Sequence, residues 1–259
     1  MSESLYEKNQ LGVGFTFHNP VVYLDRWLSS WKGNKPLLDL GCGHGINTHA
    51  ALINGADIVA TDIKEPDLSE WLHSLPVTQQ ETVLCKAAKL PENIPFEDNA
   101  FCGILCAEVF HFLSNDEVIP SINALYRILE PGGTLLLTCC SCDVEVLKST
   151  NLSKEVREAN KQSPLTVTCQ RDYLSLLAQA ANNFNCPEIT APVLAAHEIN
   201  IPDRDFCFFT SEQLGTLIKN AGFIIEICEQ GEAPHYPVWS HGSKDQVRIV
   251  ARKPDQLVI

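Results

Sequence analysis

Gly41, Gly43 and Gly45 recur at every second position, separated by Cys42 and His44, and open the stretch of the chain best suited to hold a small ligand. Glycine lets a chain turn sharply and lets a ligand come against bare backbone with no Cβ in the way. An acid, Asp62, closes the apolar run that follows. A carboxylate there, on the strand beside a glycine turn, accepts hydrogen bonds from both hydroxyls of a ribose. The interval from Asp39 to Asp62 is close to the roughly 20 residues that separate loop and acid in dinucleotide folds. Phosphate is the poorer reading. A phosphate fingerprint spaces its glycines G-x-G-x-x-G and usually offers Lys or Thr, whereas this loop runs G-x-G-x-G with Cys and His. The other chemical feature is thiol: eleven cysteines, with T-C-C-S-C at 138–142 and Cys102 and Cys106 upstream. Thiolates bind zinc and soft metalloids. These cysteines fall in apolar strand-like runs, where reduced thiols act as small hydrophobes, and no metal is expected.

The elements that must position these residues alternate between strand and helix. Leu37 to Leu40 reads as a strand buried on both faces, Ile46 to Ile53 as a helix whose first amides face the loop, and Ala56 to Ile63 as a second buried strand. Gly55 ends the helix between them. Further strands are expected at 81–85, 101–107, after Pro131-Gly132-Gly133, at 223–228 and at 247–251. Ser114 and Glu117 have the spacing of a capping box, ahead of a helix over 118–129. Thr210 or Ser211 caps another that ends at Gly222. Asn19 and Pro20 read as the cap and first residue of an N-terminal helix with Val21, Leu24, Leu28 and Trp31 inward. A short helix is expected over 67–75. From Cys142 to Asp205 helical stretches (153–161 and 171–181) are broken by Pro164, Pro187, Pro192 and Pro202.

Composition narrows the function. At 259 residues and 45% hydrophobic content the chain makes one large domain, or one domain with an insertion. A net charge of −13, with no run of basic residues, argues against nucleic acid and anionic membranes. No apolar stretch reaches the ~18 residues of a membrane span, and the polar, acidic start lacks the features of a secretory signal. A cytoplasmic protein, monomer or homodimer, is expected.

Three strings carry a family resemblance. D-L-G-C-G-H-G (39–45) resembles motif I of class I S-adenosylmethionine-dependent methyltransferases, E-V-F-H-F-L (108–113) resembles the E-V-L-H-H-L that closes their fourth strand, and L-E-P-G-G-T-L (129–135) resembles their L-x-P-G-G-x-L. The resemblance covers roughly 19–140 and 208–253. It implies an α/β, Rossmann-like class I methyltransferase fold: a seven-stranded, mostly parallel sheet with one antiparallel strand near the C-terminus, helices on both faces, and a helical insertion before the last strands. Residues 1–35 would form an arm and helix covering the cofactor crevice, or a plain surface arm. Residues 36–259 would form the methyltransferase domain, with 142–205 an inserted lid over the acceptor pocket.

The cofactor implied is S-adenosyl-L-methionine, with S-adenosyl-L-homocysteine as product, held by Asp39, Gly41, Cys42, Gly43, His44, Gly45, Asp62, Ile63, Ala87, Ala88, Cys106, Ala107 and Glu108. Within that set, Asp39 would steady the loop and the methionine amino group, and His44 would reach the methionine carboxylate. Glu108 would either bind the amino group or only terminate its strand. Phe17, His18, His111 and His197 would meet a small-molecule acceptor. His111 is the candidate base or else a pocket-shaping residue, and His197 and Glu198 either face the acceptor or lie in solvent. Two positions depart from the family text. Lys86 stands where an Asp usually holds adenine, leaving the Ala87 backbone to do so, and Cys102 replaces an Asp before the fourth strand. Other readings left open are methyl transfer to a protein or RNA, a non-catalytic S-adenosylmethionine-binding regulator, and, disfavoured by the glycine spacing, a nicotinamide oxidoreductase.

Overall fold

The computed structural model describes residues 6–8, 15–17, 19–63, 72–73, 75–183, 189, 194–195, 198, 205–234, 236 and 240–255. Its centre is a seven-stranded sheet. In chain order the strands are β3 (Leu37–Leu40), β4 (Ile58–Asp62), β5 (Val83–Ala87), β6 (Phe101–Ala107), β7 (Leu129–Cys140), β10 (Ile224–Gly231) and β11 (Gln246–Arg252), arranged β10-β11-β7-β6-β3-β4-β5. β3 runs parallel to β4 and β6, β4 to β5, and β6 to β7. Only β11 is reversed, antiparallel to both β7 and β10. The expected sheet is present, and the switch in strand order falls at β3, where the glycine loop begins.

Period-two alternation divides each central strand between two cores. Leu37, Ile58, Leu105, Leu136 and Val250 pack on one face with Trp27. Leu38, Val59, Ile104, Leu135, Leu137 and Ile249 pack on the other, against Val118, Ile122, Leu125 and Ile128 of α4 (Asn115–Ile128). The remaining helices are α1 (Leu24–Leu28), α2 (Ile46–Ile53), α3 (Val77–Gln80), α5 (Leu152–Gln162), α6 (Tyr173–Asn182) and α7 (Ser211–Asn220). Trp27 on α1 is fully buried, the burial of a Trp removing about 150–250 Å² from water. Gly103 makes room for it: a Cβ there would stand 3.1 Å from Trp27 Cδ1 and 2.9 Å from Leu37 Cδ2.

Several boundaries differ from the sequence reading. α1 starts at Leu24, not behind Asn19, because Tyr23 takes a left-handed backbone (φ 67°) that breaks the approach. Trp27, not Trp31, is its deepest residue. The third sheet strand lies two residues later than expected, at Val83–Ala87. α4 begins at Asn115, directly after the Ser114 cap, whose amide donates to Glu117 Oε2 at 2.8 Å. Pro131-Gly132-Gly133 lies inside β7 at an irregularity: Leu129 pairs with Phe101 and the register shifts before Thr134 meets Gly103. Arg171 belongs to a short strand, β8 (Gln170–Asp172), paired antiparallel with β9 (Asp205–Cys207), and α6 follows it. Most of the helix expected over 67–75 lies outside the described residues.

The insertion is welded to the domain. Val146, Leu147, Leu152, Val156, Val167, Leu177 and Ala180 belong to the same core as Leu38 and Leu135. Asn115 Oδ1, at the start of α4, accepts the amides of Cys169 (3.1 Å) and Gln170 (3.2 Å). At the N-terminus, β1 (Tyr6–Lys8) pairs antiparallel with β2 (Phe15–Phe17).

Candidate active site

The glycine loop is built by main chain. Gly41 (φ 78°), Gly43 (φ 53°) and Gly45 (φ 71°) all take the left-handed region, which a side chain disfavours. At Gly41 a Cβ would also run into Val109 Cγ2. The amides of Gly41 and Cys42 both donate to Thr61 O, at 2.8 and 2.9 Å, clamping the loop to the end of β4. Asp62 completes the clamp, its Oδ2 accepting the Gly43 amide (3.0 Å) and its Oδ1 the Ile63 amide (2.7 Å). These two amides fix the plane of the carboxylate at the edge of the loop. Ala88 N donates to Asp62 O (2.9 Å), bringing Ala87 and Ala88 to the same edge.

Asp39 and Cys42 sit behind this surface. Asp39 is 1% exposed, and its Oδ2 accepts the Thr48 hydroxyl of α2 at 2.6 Å. Burial raises its pKa to about 7, opposed by the Thr48 bond and aided by the nearby charge of Asp62. Asp39 therefore ties β3 to α2. Cys42 is buried, which pushes its thiol well up. His44 is partly exposed on the loop. Asn47, which the sequence reading passed over, accepts the Val21 amide at 3.1 Å and pins the segment before α1 to the helix after the loop.

The second half of the site lies past the end of β6. Cys106 is buried and Ala107 partly so, and Glu108 takes a left-handed backbone (φ 57°) that turns the chain. Its carboxylate faces inward: Oε1 accepts Thr138 Oγ1 (2.9 Å) and Gln246 Nε2 (2.6 Å), and Oε2 accepts the Tyr236 hydroxyl (2.6 Å). Burial and the adjacent carboxylate push the Tyr236 phenol far above its ordinary pKa, so it stays a donor. Gln246 is held in turn by Arg248 Nε (2.9 Å), and Arg248 contacts Glu229, which accepts the Tyr23 hydroxyl at 2.8 Å. One polar chain thus runs from α1 to Glu108. Tyr236, Gln246 and Arg248 left no mark on the sequence reading, since they lie more than a hundred residues from the motif they support.

His111 sits one turn beyond Glu108 in the short 3₁₀ segment Phe110–Phe112. It is 7% exposed, its Nδ1 accepts the Cys140 amide at 3.2 Å, and Glu108 Oε2 lies 3.8 Å from the same nitrogen. Burial lowers its pKa and outweighs the opposing pull of Glu108, so the ring is neutral near pH 7. Its ring centroid is 4.3 Å from Phe112 and 5.0 Å from Phe206, and Phe206 stacks on Tyr173 at 4.5 Å. Both ends of the insertion therefore brace His111. His18, His197 and the side chain of Phe17 lie outside the described residues.

The two departures from the family text fall in different places. Lys86, beside the Ala87 edge, turns its ammonium to Pro95 O (3.1 Å) and over the Phe96 ring (5.3 Å). Cys102 lies at the start of β6, the end opposite Glu108, with its thiol against Lys35 O (3.1 Å). It belongs to the floor of the sheet and not to the ligand edge. Cys139, Cys140, Cys142, Cys169 and Cys207 are free and buried. Among the described residues no group of three His, Cys, Asp or Glu side chains is set to hold a metal.

Comparison with known proteins agrees with this geometry. Residues 38–137 match the family model of a methyltransferase domain. An uncharacterized methyltransferase of Mycobacterium tuberculosis is 33% identical over 101 residues, 39% of this chain and 38% of that one. The ubiquinone biosynthesis O-methyltransferase of Dechloromonas aromatica is 29% identical over 120 residues, 46% of this chain and 49% of that one. The chain thus spans less than half the length of these curated relatives. Among solved structures, an S-adenosylmethionine-dependent methyltransferase of Methanosarcina mazei superposes with a TM-score of 0.59 at 16% identity, covering 92% of this chain and all of that one. A glycopeptide N-methyltransferase complexed with S-adenosylmethionine gives 0.56 at 14% identity, covering 89% and 92%. The fold and the glycine loop define a doubly wound α/β protein with its sheet switch point at the loop. Residues 38–137 carry the pattern of a methyltransferase domain, on a fold shared with solved S-adenosylmethionine-dependent methyltransferases.

Proposed function

We propose that this protein is an enzyme that transfers a methyl group from S-adenosylmethionine to a small-molecule acceptor. The observation that carries the reading is the main-chain cradle of left-handed glycines at 41–45, clamped to the end of β4 and edged by the Asp62 carboxylate. These residues fit the cofactor: Asp62 suits a ribose diol, and the left-handed glycines let a ligand lie on the loop. S-adenosylmethionine supplies a methyl group already activated on a sulfonium. What remains for the chain is to orient the two partners and exclude water. The aromatic wall of Phe112, Phe206 and Tyr173 suits that second task.

The small-molecule half of the reading draws on the acidic charge, on the ubiquinone-type O-methyltransferase relatives, and on a toxoflavin-precursor N-methyltransferase of Burkholderia thailandensis among the structural neighbours (TM-score 0.52). Among the described residues no helix is long and apolar enough to cross a membrane. The regulator reading loses one of its two supports, because Cys102 is remote from the ligand edge. Two measurements test the proposal. Calorimetry gives micromolar-range binding of both S-adenosylmethionine and S-adenosylhomocysteine. Labelled methyl groups pass to extractable metabolites and not to protein or RNA; label in the macromolecular fraction defeats the acceptor assignment.

A further inference from the structure

The geometry around His111 fixes which of its nitrogens carries the proton. A backbone amide can only donate. The Cys140 amide points at Nδ1 from 3.2 Å, so Nδ1 is the acceptor and the neutral ring holds its hydrogen on Nε2. The lone pair that a base needs is the one this amide occupies. The ring cannot turn to free it, because Phe112 and Phe206 hold it at 4.3 and 5.0 Å. The groups that face it from neighbouring elements are equally committed. Glu108 already accepts from Thr138, Gln246 and Tyr236. Tyr236 spends its proton on Glu108, and the thiols of Cys106, Cys139 and Cys140 are buried.

We propose that His111 serves as a fixed Nε2–H hydrogen-bond donor to the acceptor and not as a proton-removing base, and that the acceptor is therefore an oxyanion: a phenolate, enolate or carboxylate. This rests on the methyltransferase reading above. A neutral alcohol would need a base to free its lone pair. An amine nitrogen has a single lone pair, and a hydrogen bond from His111 would block the one it must use. An anionic oxygen has a lone pair for Nε2–H and another for the methyl carbon. In the transfer, the new bond is O–CH₃ and the bond broken is S–CH₃. Its electron pair stays on sulfur, and no proton passes to the protein. Glu108 does not oppose this, since its charge is shared among three donors and lies on the Nδ1 side of the ring.

The test reads the ring directly. In long-range ¹H–¹⁵N spectra of the free protein between about pH 7 and pH 8, His111 should show a bare Nδ1 and a protonated Nε2. With saturating S-adenosylhomocysteine, benzoate moves the Nε2–H resonance and benzylamine does not. A proton on Nδ1, or an imidazolium in that range, overturns the donor assignment. Absence of a benzoate shift, or a shift with benzylamine alone, overturns the oxyanion. His111→Gln, which keeps a terminal N–H, should retain affinity for the anionic acceptor within about tenfold, whereas His111→Ala should lose more, seen in KM and not in kcat, because the charge on oxygen is spent during the transfer. Equal losses in the two variants, with folding intact by far-UV dichroism, would also overturn it. The methyltransferase reading fails separately, if the wild-type chain binds neither form of the cofactor.

Discussion

Two carboxylates at the same edge of the sheet are held in opposite ways. Asp62 receives main-chain amides, from Gly43 and Ile63. Glu108 receives side chains, from Thr138, Gln246 and Tyr236. The first arrangement depends on where the backbone goes and sets the carboxylate at the edge of the glycine loop. The second fills the carboxylate and makes it part of the fold. A carboxylate at a strand end is thus not by its position a ligand group; what already donates to it decides. Glu108, expected either to meet the cofactor or to end its strand, is held by three side chains in this structure and organises the wall behind His111.

The largest effect should come from breaking the filled carboxylate. Glu108→Ala leaves three buried donors with no acceptor, and urea denaturation should show a loss of about 3–4 kcal/mol, with S-adenosylhomocysteine affinity moving less than threefold. A large affinity loss with little change in stability would reverse the contrast. Asp62→Ala should do the opposite: about 100-fold weaker binding by calorimetry, equal to about 2.7 kcal/mol, and under 1 kcal/mol of stability.

A smaller effect sits at Asp39, which is buried against the Thr48 hydroxyl. Its pKa is near 7 in the folded chain against 3.8 when unperturbed. Between those values the unfolded chain has released the proton and the folded one has kept it, so raising the pH favours unfolding. The stability linked to this group is complete below about pH 4 and is lost as pH climbs through 7. Asp39→Asn keeps an acceptor for Thr48, and its stability relative to wild type should be about 2–3 kcal/mol more favourable at pH 8 than at pH 5. Denaturant midpoints at the two pH values check it. The smallest effect belongs to Lys86→Ala, where one exposed bond to Pro95 and one ring contact are worth about 1 kcal/mol or less. A cofactor affinity change above threefold there would show that Lys86 reads adenine.

The same contrast explains what the sequence disclosed. The nucleoside half was legible because left-handed turns demand glycine, and three of them in five residues leave a visible record. The Ser114–Glu117 cap and the burial of most cysteines were legible for similar local reasons; Cys228, expected inside, is exposed on an edge strand, and the sheet was implied by the family resemblance. The acceptor half was not. Tyr236 and Gln246 meet Glu108 across 128 and 138 residues, and nothing in their own neighbourhoods announces it. The Asn19-Pro20 signal misled because Tyr23, a residue with no special claim on φ > 0, turns the chain there. β8 and β9 escaped notice since three-residue strands carry too little pattern to be seen.

The insertion shares its interior with the sheet, and Asn115 staples its middle to the helix that follows His111. A relative's segment grafted over 142–205 would strip Val146, Leu152, Val156 and Leu177 from the main core and leave the Phe206–His111 contact undefined. Single substitutions on the inner face of that segment are therefore bounded by what the whole domain can tolerate, and exchange of the segment as a module should cost the domain its fold.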